Sequence, residues 1–208
     1  MPLVSSAQDS TVVVKSNISL FLVADYGKAI ESLFQKQRKW EFGIGLRIKE
    51  KYNFVAEYGY GQLNPESVIN NGTYTSDGNY FRGGFEYVFT VTANRYLGLG
   101  ILYAHSKFSD QGTVIIVSDL WEDLNETFIR GDLTADWIEW TINTEAPITN
   151  SEDSFLRNFY WGMKFRLRFL VSDISQPDFD IFAIPGYGQT YSPVVPAANF
   201  FIKYRLDF

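Results

Sequence analysis

The sequence predicts an all-β fold: an eight-stranded antiparallel up-and-down transmembrane β-barrel of the outer-membrane type, with a short helix in the first extracellular loop. Three observations predict it. Segments of about ten residues alternate apolar and polar positions with the period of two that a strand imposes, and eight such segments recur along the 208 residues. The connections between them alternate short and long, which puts short turns at one barrel end and long loops at the other. No run of about 18 apolar residues occurs, so no single helix is long and apolar enough to cross a membrane.

Composition agrees with this and removes other classes. Aromatic residues make up 17% of the chain; they are strand formers and membrane-interface residues. Cysteine is absent, which excludes a disulfide framework and a thiolate site. The net charge of −6 argues against a nucleic-acid partner, because phosphate binding needs a basic patch. Residues 1–7 read as the end of a signal peptide. Ser5 and Ala7 stand at the −3 and −1 positions of a cleavage site, and Gln8 opens a single barrel domain over 8–208. The alternative is an ordinary flexible N-terminus.

The first strand spans Val12 to Asp25, with Ile18, Leu20 and Leu22 alternating imperfectly with Asn17, Ser19 and Phe21. A helix over Gly27 to Gln35 is predicted by Ala29, Ile30, Leu33 and Phe34 at helical spacing. Strand two, Trp40 to Lys49, sets Trp40, Phe42, Ile44, Leu46 and Ile48 against Glu41, Gly43, Gly45, Arg47 and Lys49. Strand three runs from Tyr52 to Gly61, and a polar loop from Gln62 to Gly78 carries Asn-Gly and Asp-Gly turn signals. Strand four, Asn79 to Phe89, alternates Phe81, Phe85 and Phe89 with Tyr80, Arg82 and Glu86; strand five runs from Arg95 to Phe108. The longest predicted loop, Ser109 to Ala135, is acidic. Strand six covers Asp136 to Ala146. Strand seven sets Phe159, Trp161, Met163, Phe165, Leu167 and Phe169 against Tyr160, Gly162, Lys164, Arg166 and Arg168. A proline-rich loop, Ser172 to Pro196, precedes strand eight, Ala197 to Phe208. That last, aromatic-ended amphipathic strand resembles the C-terminal signal of bacterial outer-membrane barrel proteins.

If the apolar stripes meet lipid, the polar stripes face inward. They carry Glu41, Arg47, Glu57, Arg82, Glu86, Glu139, Lys164, Arg166, Arg168, Lys203 and Arg205, which must pair inside a narrow barrel. Eight strands leave an interior just wide enough for side chains. Inward glycines would make room for Tyr80, Tyr96, Tyr160 and the long basic side chains. The expectation is a plugged polar core, with a passive pore ranked last.

Candidate chemistry is sparse. His105, the single histidine, continues the outward register of Leu99, Ile101 and Tyr103 near the extracellular rim, beside Ser106 and Ser109. This raises the alternative of an outer-leaflet lipid-modifying enzyme with a His and a Ser. The residue two after His105 is Lys107 rather than Ser, so a rim histidine is the preferred reading and no catalytic residue is assigned. The interior carboxylates are expected to form salt bridges rather than an acid/base pair. The loop aspartates lack calcium-loop spacing, and the Gly-x-Gly pairs lack the third glycine of a dinucleotide fingerprint. No metal or cofactor is expected.

Several motifs in order along the chain carry a family resemblance: the helical segment Ala29 to Phe34; Gly78-Asn79-Tyr80-Phe81-Arg82-Gly83-Gly84-Phe85-Glu86-Tyr87; Leu133-Thr134-Ala135-Asp136-Trp137-Ile138-Glu139; and Ile184-Pro185-Gly186-Tyr187 with Thr190-Tyr191. With these the chain resembles a group of small Bacteroidota outer-membrane β-barrel proteins of unknown function. The resemblance implies a non-enzymatic barrel of the bacterial outer membrane, serving as an accessory subunit of an envelope machine for barrel assembly or secretion. The implied partners are outer-membrane lipid and lipopolysaccharide, the barrel-assembly machinery for insertion, and an outer-membrane or surface protein complex. The two longest loops hold apolar residues that free loops seldom carry: Val114, Ile116, Leu120 and Trp121 in one, Phe179, Ile181, Phe182 and Tyr187 in the other. They either dock a partner, the preferred reading, or pack on each other as a cap.

Overall fold

The computed structural model describes residues 18–34, 37–65, 69, 71–92, 94–116, 124–151, 153–176 and 179–208. The segment 1–7 and most of the predicted first strand before Ile18 lie outside the described residues. The elements are β1 (Ile18–Asp25), α1 (Tyr26–Phe34), β2 (Lys39–Ile48), β3 (Tyr52–Leu63), β4 (Gly72–Thr92), β5 (Arg95–Ile116), β6 (Leu124–Pro147), β7 (Phe159–Leu170), β8 (Ala183–Ile184), β9 (Gly188–Gln189) and β10 (Val194–Asp207). Eight strands close a barrel in the order β1-β10-β7-β6-β5-β4-β3-β2, and β8 and β9 form a separate hairpin. Every pairing in the ring is antiparallel, and β1 closes it against β10 from Ser19↔Asp207 to Asp25↔Phe201. The fold is an up-and-down β-barrel of the outer-membrane type.

The wall follows its alternation. Phe42, Phe54, Phe81, Ile101, Trp140, Phe165 and Ile202 stand exposed on the outside, while Glu41, Arg47, Asn53, Arg82, Glu139, Arg166 and Lys203 are buried inside. This inverts a soluble domain and fits a barrel whose solvent is hydrocarbon, where closure leaves no unpaired sheet edge. The β2–β3 turn is a tight one: Lys49 and Glu50 both have positive φ (52° and 57°), and Lys51 N–H donates to Ile48 O at 3.1 Å. That backbone twist matches a two-residue hairpin.

The loop-end segments differ from expectation. Gln62 to Gly78 and Ser109 to Ala135, predicted as loops, are largely strand: β4 begins at Gly72, β5 runs to Ile116 and β6 starts at Leu124. Thr73, Thr113 and Thr127 stand in register, as do Tyr74, Gly112 and Phe128. These Thr, Val and Ile residues favour strand. Their two faces do not divide cleanly into apolar and polar, however, and a register shift between Phe108 and Asp110 moves the phase, so periodicity gives no signal there. Similarly, Ser172 to Pro196 contains the β8–β9 hairpin and the start of β10. At the opposite end the connections are residues 49–51, 93–94 and 148–158; the last is longer than the turn predicted from Pro147 to Ser154.

Candidate functional site: the barrel interior and its cap

All of the charged residues predicted to face inward do so, and they form two tiers. The tier nearer the loop end centres on Arg82, which is 0% exposed. Its Nε donates to Glu139 Oε1 at 2.8 Å and its Nη1 to Glu41 Oε2 at 2.5 Å. Arg166 reaches Glu139 Oε2 at 2.7 Å and Glu57 Oε2 at 2.9 Å. Lys164 bridges Glu57 at 3.0 Å and Glu86 at 2.9 Å, and Arg168 Nε lies 3.4 Å from Glu139. Trp137 Nε1 donates to Glu139 at 2.7 Å, and Tyr80 OH to Glu41 at 2.7 Å. The tier nearer the turn end joins Arg47 to Glu145 at 2.9 Å and pairs Lys203 with the same carboxylate. Arg205 stacks over Tyr160 at 5.0 Å. Asn53 links the tiers, accepting from Arg47 Nε at 2.8 Å and donating to Glu86 at 3.2 Å. Buried charges in a low-dielectric interior are retained only when partnered in this way.

Between the tiers sits a small apolar cluster of Phe21, Val55 and Leu102. The voids beside Lys164 measure about 20 and 10 Å³, room for one water at most. Around the charge tiers the core is filled, and a cavity of about 320 Å³ remains at the loop-end mouth beside Lys28, Tyr80 and Arg168.

Four further participants join the predicted charges. Glu145 continues the inward register of Glu139, Thr141 and Asn143, so its signal was present. Asn199 likewise sits on the polar face of the last strand, where it accepts from Arg166 Nε at 2.8 Å and donates to Asp25 at 2.5 Å. Lys28, from α1, pairs with Glu41 and donates to Tyr80 OH at 3.0 Å; no strand periodicity reports a cation arriving from a helix. Asp25 lies 3.6 Å from it.

A cap closes the loop end. Ile181, Ile184 and Tyr187 pack with Tyr80, Ala104, Phe108, Ala135 and Trp137 in one cluster. Charges of the network hold the cap by its backbone: Arg82 Nη2 donates to Gly186 O at 2.8 Å and Arg168 Nη1 to Tyr187 O at 2.7 Å. Tyr80 lies between two glycines. A Cβ on Gly59 would stand 2.4 Å from its ring, and one on Gly186, at φ +84°, would also stand 2.4 Å away.

Above the cap, the surplus lengths of β4, β5 and β6 rise as a three-stranded sheet. Its inner face packs on the last loop. Tyr74 meets Phe182 edge-on at 5.1 Å, Phe128 stacks on Phe179 at 4.7 Å, and Arg130 Nη1 donates to Phe179 O at 2.6 Å. Tyr74 OH donates to Asp110 at 2.9 Å; burial first, then the Asp110 carboxylate, push this phenol's pKa up. The outer face presents Thr73, Gln111, Ile115, Thr127 and Ile129, all exposed, Ile129 at 77%.

The predicted docking residues therefore separate. Ile181 and Tyr187 are buried at 4% and 0% exposure as parts of the cap, which corrects their assignment to a free surface: both fill space over Trp137 and Tyr80. Phe179 and Phe182 are half-buried against the protruding sheet, and Val114 is half-buried within it. Ile116 ends β5, its side chain outside the described set. Leu120 and Trp121 lie outside the described residues.

A family match covers residues 4–208. The chain belongs to the family described as Domain of unknown function (DUF6048). Among curated proteins none matches this DUF6048 chain. Among solved structures it is similar to the N-terminal β-barrel domain of Pseudomonas aeruginosa OprF, at 10% identity and a TM-score of 0.41, over 92% of this chain and 99% of that one. At this level the similarity carries no functional weight.

The one histidine of the DUF6048 barrel stands on its outer face. His105 Nδ1 lies 2.8 Å from Asp136 Oδ1, and Tyr103 OH donates to the same oxygen at 2.5 Å. Ser106 points through the wall to the interior, where its hydroxyl donates to Asn79 O at 3.3 Å. Ser109 donates to Asp77 at 3.4 Å. Neither serine meets the imidazole, so the His/Ser pairing behind the lipid-modifying-enzyme alternative does not form. Among the described residues no group of His, Asp and Glu has the arrangement of a metal site.

Proposed function

We propose that this DUF6048 barrel is a non-enzymatic integral protein of the bacterial outer membrane, with its capped end outward. In this reading it is an accessory subunit that docks a partner of an envelope machine, for barrel assembly or secretion, through its protruding sheet. The observation that carries this is the surplus of strand. β4, β5 and β6 contain 21, 22 and 24 residues, whereas about ten suffice to cross the hydrocarbon. The surplus forms an ordered sheet whose inner face is packed and whose outer face is bare, with Ile115 and Ile129 among threonines. Ile115, opposite Asn125, and Ile129, opposite Gln111, stand exposed on either side of the Thr113–Thr127 rung, and an ordered sheet projecting this far beyond the wall is a surface that a mere anchor does not need. The filled interior supports an anchoring rather than a conducting role.

The test is affinity capture from native outer membranes in mild detergent, comparing wild type with the double variant Ile115→Asp, Ile129→Asp. Wild type should fractionate with the outer membrane and retain an assembly or secretion component. The variant should lose that component while keeping the heat-modifiable gel migration of a folded barrel. Identical partners for both would overturn the docking reading.

A further inference from the structure

The outer wall carries a feature that neither the plug nor the docking surface uses. Across β5, β6, β7 and β10 lies an apolar depression of about 780 Å³, its walls built by Leu99, Ile101, Trp140, Ile142, Phe165 and Ala198. Its depth comes from unequal side chains in register. Ala198 stands opposite Phe165, and Pro196 opposite Leu167, so small residues on β10 face bulky ones on β7. Directly above, on the same outward registers of β5 and β6, the wall turns polar. His105 lies four residues from Ile101, about 13 Å along the strand, and Asp136 lies four from Trp140.

The polar group is assembled, not scattered. Asp136 takes His105 Nδ1 and Tyr103 OH on one oxygen, and Ser172 Oγ donates to its other oxygen at 3.2 Å. With Nδ1 engaged, the Nε2 edge of the imidazole is the one left for a ligand. Two positions further up β5, Lys107 Nζ pairs with Asp132 at 2.8 Å. Two nitrogen bases and two carboxylates thus alternate above an apolar groove. Both pairs are solvent-exposed, and exposed pairs hold their partners weakly, so each can share its polar groups with a ligand.

We infer that this wall is a binding site for a single zwitterionic phospholipid. An acyl chain fills the depression, the phosphate meets Lys107, and the ammonium meets Asp136, Asp132 and the lone pair that His105 presents at Nε2. The inference rests on the membrane-spanning reading, because a lipid must reach the wall from the bilayer. It supplies a fixed lipid on the face away from β1 to β3.

The experiment uses the full chain inserted into vesicles of equal phosphatidylethanolamine and phosphatidylglycerol, released into mild detergent and weighed by native mass spectrometry. Wild type should retain one phosphatidylethanolamine. Ala198→Trp fills the depression and should lower retention roughly tenfold, a loss of about 1.4 kcal/mol of binding. The double variant Asp132→Asn, Asp136→Asn should keep a lipid but lose the preference between the two headgroups. Phe54→Ala, on the far wall, should behave as wild type. Folding of each is checked by heat-modifiable migration, and Trp140→Ala replaces Ala198→Trp if the latter does not fold. A bound-lipid composition equal to that of the vesicle, or undiminished retention in the depression variant, overturns the site while leaving the barrel in the membrane. Failure of wild type to enter vesicles at all overturns both.

Discussion

Arg82 and Glu139 meet at 2.8 Å in the middle of the barrel, both fully buried, across 57 residues of sequence. The pair organises its tier. Arg82 also holds Glu41 at 2.5 Å and the Gly186 carbonyl at 2.8 Å, and it stacks on Tyr80 at 4.5 Å. Glu139 also receives Arg166 and Trp137. One guanidinium therefore ties the β4 and β6 walls, the plug and the cap together.

Arg82→Leu should cost about 3–5 kcal/mol, because it removes one partner of a buried pair and leaves carboxylate charge uncompensated. The measurement is the urea midpoint of the heat-modifiable band. An unchanged midpoint would show that the tier contributes packing alone.

Phe165 stands half-exposed on the outer wall. Phe165→Arg should cost roughly 2–4 kcal/mol if this row lies near the bilayer midplane, whereas Phe165→Leu should cost less than about 1.5 kcal/mol. Equal behaviour of the two in a lipid-refolding titration would move the row out of the hydrocarbon.

The cap should be separable from the barrel. Gly186→Val introduces a Cβ 2.4 Å from the Tyr80 ring, at φ +84°, where a β-branched residue is strongly disfavoured. Hydrogen exchange over residues 181–190 should accelerate while the wall strands keep their protection. Single-channel conductance should stay near baseline, because the charge tiers below the cap still fill the interior.

Tyr74 gives the loop end a pH dependence with a defined sign. Burial, and then Asp110, raise its pKa above the ordinary tyrosine value of about 10. When the cap region opens, the phenol returns to its ordinary value and ionises first. Its contribution is therefore complete below pH ~10 and is lost as pH rises from there toward the folded-state pKa. Exchange protection around residues 72–77 and 179–183 should fall above pH ~10 in wild type. In Tyr74→Phe the fall should disappear. A fall of the same size in both would assign it to another group.

The alternation of wall residues was legible from the sequence alone, because a strand's in/out choice is local and has a period of two. Glu41 and Phe42, or Lys164 and Phe165, declare opposite faces without reference to the rest of the chain. Eight such segments and their inward charges followed from the same rule, and extending it two residues past Asn143 would have added Glu145. The tertiary structure alone decided which charges meet. Arg166 and Glu57 are 109 residues apart, and only the closed ring and its diameter set their hydrogen bonds. It also placed Phe21, an aromatic residue in an inward register, between the two polar tiers. It extended β4 to β6 where neither face is cleanly apolar and cross-strand pairing, not hydropathy, holds the sheet. And it buried Ile181 and Tyr187, because an apolar loop residue takes whichever apolar surface closure brings near, here Trp137 and Tyr80 at the mouth of the barrel.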